Sequence, residues 1–425
     1  MIYTEKNIRF SLLVLLIISV FTLSFSRINA QEKNILKFKN ENKRRMPLKF
    51  ESESNLIIIP VRINNSDTLQ FILDTGLRTT VITELPREDS TLMKFTDSTL
   101  IKGLGIEEDL KVLFSPKNRL EIGSIYSDNY DFLYIKDKRL DLSSELGTPI
   151  HGIIGADVFK AFIVRISYTA RQLVFFNPKK FNAQRKYKRY EVLPIELFRD
   201  KPYIELPIVT KENDTVNTKL LIDNGAGDAV WLFRNSHPDI KIPENHRYNY
   251  LGKGINGQIF GYEGRIKSIS LGKYTLEEVS CAFPDTIALN NVAILDLPGR
   301  NGSIGAELLV RFNVYIDYPN KQIALRRNQY FRRPFHFNMA GITVKAPVRK
   351  LPIYTIATLR KGSPADEAGL KPGDILTYIN GKPAYTYELS EINALMRDKP
   401  GRRILISVSR GGKELSFKFR LRKDL

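Results

Sequence analysis

The chain has 425 residues, too many for one ordinary hydrophobic core, so two or three domains are expected. Hydrophobic residues at 43% and charged residues at 26% are typical of folded proteins, which excludes wholesale disorder and a multi-span membrane protein. One cysteine and four histidines without ligand spacing exclude a disulfide framework and predict neither a metal site nor a cofactor. The cysteine, Cys281, is expected to be a buried free thiol.

The N-terminus decides how the net charge of +19 is interpreted. Lys6 and Arg9 precede a mainly apolar run from Leu12 to Phe25, and a short polar segment then ends at Ala30. This order is typical of a secretory signal peptide over residues 1–30, with an uncleaved membrane anchor as the alternative. We therefore expect an exported protein, periplasmic or extracellular. Its basic residues are interpreted as solvated faces that favour an anionic envelope surface, and no nucleic-acid partner is expected.

Residues 31–47 are polar and basic without a hydrophobic period, which predicts a flexible lead-in. The chain then becomes a series of short β-branched runs separated by turn residues, which predicts a mainly β fold. Leu56–Ile59 and Phe71–Leu73 flank a polar turn at Asn64–Asp67, the pattern of a β-hairpin.

The same unit occurs twice. A hydrophobic strand followed by Asp74-Thr75-Gly76 matches a second strand followed by Asp223-Asn224-Gly225, an offset of 149 residues from 74 to 223. Downstream, residues 152–159 match residues 302–309 at an offset of 150. Agreement at two separate motifs predicts a duplication. We expect two homologous β lobes over residues 48–180 and 191–330, joined by a basic linker over 181–190.

A strand that ends in Asp-Thr-Gly, followed far downstream by two apolar residues and Gly-Ala-Asp/Glu, resembles the half-site of aspartic peptidases of the pepsin and retropepsin group. Two such halves in one chain resemble the pepsin-type bilobal arrangement, with lobes of retropepsin size. The resemblance implies that Asp74 and Asp223 are the catalytic pair. It also implies a ψ-shaped crossing in each lobe, in which the Ile154-Gly155 and Ile304-Gly305 segments lie beneath these two loops.

The chemistry of such a pair follows from electrostatics. Two carboxylates about 3 Å apart cannot both ionise, so they share one proton and act together as base and acid on one water molecule. The resemblance therefore implies an endopeptidase that hydrolyses peptide or protein substrates. The predicted supports of the two catalytic loops are Thr75, Gly76, Asn224 and Gly225.

Three departures from the family pattern affect this prediction. Asn224 replaces a hydroxyl residue, and we expect its amide not to copy the hydroxyl's hydrogen-bond geometry. Leu77 stands where a small residue is usual. Flaps are expected around Gly103–Gly105 and Gly252–Tyr262, and the first offers no tyrosine. Asn-Gly is also a hairpin-turn signal in its own right. The alternative function is therefore a catalytically weak or inactive peptide-binding protein of the same fold.

Residues 338–425 predict a separate unit. Ser363 can cap a short helix that Gly369 ends, and a tight turn at Lys371–Asp374 then leads into a strand. The run from Ser363 to Ile375 closely resembles bacterial PDZ domains. A PDZ groove accepts the C-terminus of a peptide as an added strand, which implies binding by Gly341, Ile342 and Thr343. The alternative is a packing module that regulates the lobes.

Overall fold

The computed structural model describes residues 34–85, 92–101, 110–137, 140–254, 257–286, 298–348 and 351–423. The chain is mainly β and carries aspartyl-protease-like β lobes and a PDZ-like unit, as the sequence predicts. The predicted signal peptide and the Gly103–Gly105 flap segment lie outside the described residues. Within the described ranges, no helix has the length and apolar character needed to cross a membrane.

The first lobe is built on a large, mostly antiparallel sheet with two short helices. Along its strands, buried residues either alternate with exposed ones or follow one another without a break. In β4, for example, Ile57 and Ile59 are completely inaccessible to solvent. The elements are β1 (Lys37–Phe38), β2 (Arg45–Lys49), β3 (Glu51–Glu53), β4 (Leu56–Ile63), β5 (Leu69–Leu73), β6 (Val81–Ile82), β7 (Asp97–Ile101), β8 (Leu110–Ile122), β9 (Ile125–Tyr134), α1 (Leu142–Leu146), β10 (Gly152–Ile154), α2 (Asp157–Ala161), β11 (Ile163–Ser167) and β12 (Gln172–Phe176).

The second lobe repeats this plan after a connecting 3₁₀ helix (Pro178–Lys180) and α3 (Ala183–Tyr187). Cys281 is a buried free cysteine, as predicted. The elements are β13 (Glu191–Pro194), β14 (Glu196–Phe198), β15 (Lys201–Val209), β16 (Thr215–Asp223), β17 (Val230–Leu232), β18 (Arg247–Gly254), β19 (Gly257–Leu271), β20 (Tyr274–Pro284), β21 (Arg300–Gly305), α4 (Ala306–Leu309), β22 (Phe312–Asp317) and β23 (Gln322–Arg327).

A six-stranded sheet joins the lobes, in the order β13-β23-β22-β11-β12-β2. At its centre, β11 of lobe 1 pairs antiparallel with β22 of lobe 2, and Arg165 lies opposite Tyr315. These two residues are separated by the repeat offset of 150, from 165 to 315. An antiparallel pair centred on equivalent residues has a local two-fold axis, so the lobes are related by approximate two-fold symmetry about this pair.

The predicted flexible lead-in is wrong for the described residues 34–47. β1 pairs with β9, and β2 forms the edge of the interlobe sheet beside β12. Phe38 and Met46 are each 4% exposed, so this segment contributes to the core of the lobes. The partner of β2 lies more than 120 residues downstream. A five-residue strand with a nonlocal partner leaves no periodic signal in its own sequence.

The C-terminal unit has its own sheet and its own core. Ser363 caps α5, with its hydroxyl accepting from Asp366 N at 3.4 Å, and Gly369 follows at a φ of +95°, as expected of a helix end. The elements are β24 (Ile342–Lys345), β25 (Thr355–Leu359), α5 (Pro364–Glu367), β26 (Ile375–Ile379), β27 (Lys382–Pro383), a 3₁₀ helix (Ala384–Thr386), α6 (Leu389–Met396), β28 (Arg403–Arg410) and β29 (Lys413–Arg420).

Candidate active site

Asp74 and Asp223 lie at the ends of equivalent strands. β5 runs parallel to β10, with Leu73 opposite Ile154, and Asp74 N donates to Ile154 O at 2.9 Å. In lobe 2, β16 runs parallel to β21, with Ile222 opposite Ile304. In each lobe a further strand pairs antiparallel with the other side of the central one, β6 with β10 and β17 with β21. The expected ψ-shaped crossing is therefore present in both halves.

Glycine is required where the chain segments cross. A Cβ on Gly155 would collide with the carbonyl oxygen of Leu77, and one on Gly305 would lie 2.8 Å from the carbonyl oxygen of Ala226. The crossing is then fixed by equivalent hydrogen bonds, from Ala156 N to Leu77 O and from Ala306 N to Ala226 O. These bonds hold each aspartate loop against the strand that crosses beneath it.

The two aspartate loops are bonded directly to each other. Thr75 Oγ1 donates to Ile222 O at 2.7 Å and accepts from Asn224 N at 3.2 Å. In the opposite direction, Asn224 Nδ2 donates to Leu73 O at 2.7 Å, and its Oδ1 accepts from Thr75 N at 2.8 Å. Thr75 and Asn224 are completely buried. Each loop therefore satisfies one carbonyl and one amide of the other.

Asn224 bonds through different atoms from those of a hydroxyl, as expected, yet it still satisfies an amide and a carbonyl of the opposite loop. A single Thr75 oxygen performs both tasks on one side, whereas Asn224 divides them between its amide nitrogen and oxygen. The carboxamide is large enough for its two atoms to reach two backbone groups at once. The substitution therefore keeps the connection between the loops, and only the atoms that make it differ.

The glycine that ends each motif lies close to the carboxyl group of the opposite aspartate. A Cβ on Gly76 would lie 2.8 Å from the carboxyl carbon of Asp223, and one on Gly225 would lie no more than 2.5 Å from each carboxyl atom of Asp74. Each carboxyl also accepts from its own loop, Asp74 Oδ1 from Gly76 N at 2.6 Å and Asp223 Oδ1 from Gly225 N at 3.1 Å. These contacts bring the two carboxyl groups close enough for the charge of Asp223 to raise the pKa of Asp74. Both residues keep partial solvent exposure.

The surrounding charges affect the pKa values of the two aspartates differently. Burial and then the charge of Asp223 raise the pKa of Asp74 well above its usual range. Burial also raises the pKa of Asp223, but the nearby Arg300 charge and the hydrogen bond with Asp74 oppose that rise. The two carboxyl groups therefore titrate as a pair that shares one proton, and the charge of Arg300 favours the ionised form of Asp223.

Arg300 was not identified from the sequence. It begins β21, is 9% exposed, and donates through Nε to Gly302 O at 2.8 Å. The equivalent position in lobe 1 is Ile150, at the repeat offset of 150. A comparison of the two copies for positions where only one is charged would have found it. Lys201 also lowers the pKa of both aspartates through its charge.

Two antiparallel hairpins flank the positions predicted as flaps. In lobe 1, β7 and β8 pair antiparallel up to the undescribed residues 102–109. In lobe 2, β18 and β19 pair up to Gly254 opposite Gly257. Tyr262 lies on the same hairpin, opposite Tyr248 and away from the turn, and the centres of the two rings are 5.3 Å apart. Leu77 packs against a small apolar cluster of lobe 1.

The PDZ-like unit places its predicted binding residues at an edge. Ile342 and Thr343 lie in β24, which ends the sheet order and pairs with β25 on one side. Gly341 precedes them at a φ of +81°, and a Cβ there would collide with Ser363. Helix α6 lies against β24. The surface between these two elements, where the resemblance to PDZ domains implies peptide binding, is called here the PDZ groove.

No group of three or more His, Cys, Asp or Glu in the described ranges is arranged to hold a metal ion. The chain matches the aspartyl protease family over residues 59–158 and the PDZ domain family over residues 355–410. It contains an aspartyl protease domain and a PDZ domain. The first match includes Asp74 and the 152–158 motif, and the second includes α5 and the turn that follows it.

Individual relatives match the chain over 61 to 249 residues. A putative zinc metalloprotease of Neisseria meningitidis is 46% identical over 61 residues, 14% of this chain and 13% of that protein. A probable CtpA-like serine protease of Staphylococcus aureus is 36% identical over 63 residues, 15% of this chain and 13% of that protein. Translation initiation factor IF-2 of Buchnera aphidicola is 22% identical over 249 residues, 55% of this chain and 27% of that protein. The chain therefore spans a minor part of each, and their activities do not transfer to it.

Proposed function

We propose that this protein is an exported aspartic endopeptidase whose PDZ domain binds peptide or protein C-termini. The observation that carries the catalytic part is the meeting of Asp74 and Asp223. Their carboxyl groups come from separate lobes, each lies against the glycine of the opposite loop, and both residues remain partly open to solvent. Peptide hydrolysis needs a base for water and an acid for the carbonyl oxygen at the same moment, and this pair offers both.

We infer the two roles from the charge of Arg300, which favours the ionised form of Asp223. Ionised Asp223 accepts a proton from the attacking water, while protonated Asp74 donates to the carbonyl oxygen of the scissile bond. The resulting tetrahedral intermediate collapses when the proton held by Asp223 passes to the leaving nitrogen and a hydroxyl of the intermediate returns a proton to Asp74. The C–N bond then breaks, the carbonyl forms again, and the pair regains its single shared proton. Thr75 and Asn224 act as positioning residues because they fix the separation of the two loops.

The test is cleavage of a peptide library by the purified protein between acidic and neutral pH. We expect Asp74→Asn and Asp223→Asn each to abolish cleavage, since either change removes the shared proton. Asp128→Asn is the matched control, because Asp128 is 60% exposed and pairs with Arg119 in lobe 1, away from the two loops. Cleavage that persists in both dyad variants would refute the assignment. No cleavage by any of the proteins, the unaltered one included, would favour the peptide-binding alternative.

The envelope part of the proposal draws on the outer face of the interlobe sheet. Strand register places Arg45 and Arg165 on this face, and α3 brings Arg185 and Lys186 to it. Burial and the charges of these three arginines lower the pKa of Lys186, which marks a region of positive potential. Such a face favours anionic lipid headgroups.

Vesicle sedimentation tests this surface. Each cation near an anionic bilayer contributes about 1 kcal/mol, so reversing Arg185 and Lys186 to Glu lowers binding to phosphatidylglycerol vesicles at least about thirtyfold. Binding to phosphatidylcholine vesicles stays unchanged. Substitution of Lys413 and Lys418 on the PDZ domain by Glu serves as the control, because it changes the net charge by the same amount. Equal losses in both double variants would show that net charge alone is responsible.

A further inference from the structure

The PDZ groove is filled at one end by a side chain of the same domain. Ala340 N and Gly341 N donate to Asn338 Oδ1 at 3.2 and 2.9 Å, and Asn338 Nδ2 donates to Ile342 O at 2.6 Å. In a PDZ domain the amides of this loop receive the carboxylate of a bound C-terminus. Here the carboxamide oxygen of Asn338 occupies the acceptor position of such a ligand.

The other end of the groove is filled by lobe 1. Ala346 N, directly after β24, donates to Ser144 O at 3.0 Å, a backbone bond of the kind that an added strand makes. Gly147, which ends α1, lies against α6, and a Cβ there would be 2.7 Å from Leu389 Cβ. The segment Ser144–Gly147 therefore touches both walls of the PDZ groove.

Glu145, within this segment, links three parts of the molecule. Its Oε1 lies 2.6 Å from Lys345 Nζ of β24 and 4.0 Å from Lys253 Nζ. Lys253 is next to the last residue of β18, near the end of the lobe 2 flap hairpin. The three side chains are only 20–23% exposed, so solvent screens their attraction less than on an open surface.

We propose that the PDZ groove is a docking surface for lobe 1 of the same chain, and that an extended peptide with a free C-terminal carboxylate competes for it. Such a peptide takes the place of Asn338 Oδ1 at the loop amides and of Ser144–Gly147 along β24. Its binding separates Glu145 from Lys345 and removes one attachment of the flap hairpin. The inference rests on the peptide-binding part of the proposed function and not on catalysis.

The experiment measures peptide binding to the full chain carrying Asp74→Asn, so that cleavage does not consume the probe. Fluorescent ten-residue peptides of varied sequence are compared with the same peptides amidated at the C-terminus. We expect free-carboxylate peptides to bind and Glu145→Gln to bind them about threefold tighter, because one partly exposed ion pair no longer competes. Glu367→Gln is the matched control, since Glu367 pairs with Arg422 on the same domain, away from the groove.

Hydrogen exchange gives the second measurement. Peptide addition should raise the exchange of Ser144–Gly147, because displacement exposes this segment to water. Equal affinities of the Glu145→Gln and Glu367→Gln proteins, or unchanged exchange in the segment, would overturn the proposal. So would failure of every free-carboxylate peptide to bind when Asn338→Ala is combined with Glu145→Gln. A protein that binds peptides competitively but cleaves none would contradict the proposed catalysis and leave this inference intact.

Discussion

Replacing Gly225 by alanine should separate the two aspartates. The added Cβ would lie no more than 2.5 Å from each carboxyl atom of Asp74, whereas an ordinary contact needs at least 3.4 Å. The loops must therefore move apart by about 1 Å, a displacement that can lower the rate of a positioned reaction about a hundredfold. Overpacking of this size also destabilises a protein by about 1–3 kcal/mol. The φ of Gly225 is not positive, so the collision alone accounts for both effects.

Urea unfolding followed by the fluorescence of Trp231, the single tryptophan, reports the stability of lobe 2. Gly227→Ala is the control in the same loop, because a Cβ there would lie 3.4 Å from its nearest neighbour, Ser54 O. We expect it to change stability and cleavage little. The loss of stability in Gly225→Ala should disappear in an Asp74→Ala background, where the colliding carboxyl group is absent. An equal loss in both backgrounds would refute the proposed contact.

Three further outcomes follow from the site. Asn224→Leu leaves a buried amide and a buried carbonyl unpaired and should cost about 2 kcal/mol or more in urea unfolding, whereas Asn224→Thr should retain most of the stability. Arg300→Met removes a charge that lowers the pKa of Asp223, so the acid limb of the cleavage profile should move to higher pH; an unmoved limb would contradict this. The pKa of Asp74 is raised in the folded state, so the folded protein retains a proton that the unfolded chain releases above about pH 4. Stability should therefore fall as pH rises toward neutrality, and Asp74→Asn should flatten this dependence.

The sequence alone was sufficient to predict the repeated aspartate motifs and the crossing strands beneath them. Both predictions depend on short motifs whose spacing is kept in two copies. The repeat therefore indicates which distant segments pack together in each lobe. The PDZ-like unit was predicted from cap and turn residues such as Ser363 and Gly369, whose conformations are set locally. The catalytic roles and the domain limits stay predictions.

The remaining features depend on distances that no local pattern contains. The place of β2 in the interlobe sheet follows from its pairing with β12, more than 120 residues away. The role of Asn224 depends on the gap between two loops, which decides whether one amide can reach both Leu73 and Thr75. The contact of Glu145 with Lys345 depends on how a PDZ domain is docked on lobe 1.

The two-fold relation centred on Arg165 and Tyr315 has a consequence for how the halves could diverge. Two identical half-chains assembled in this way would place the same residue on both sides of the axis, and neither acid could be preferred over the other. Covalent fusion removes that constraint. Arg300 lowers the pKa of Asp223 through its charge, and the Asn224 amide faces the Thr75 hydroxyl across the axis. A homodimer of half-chains could encode neither difference.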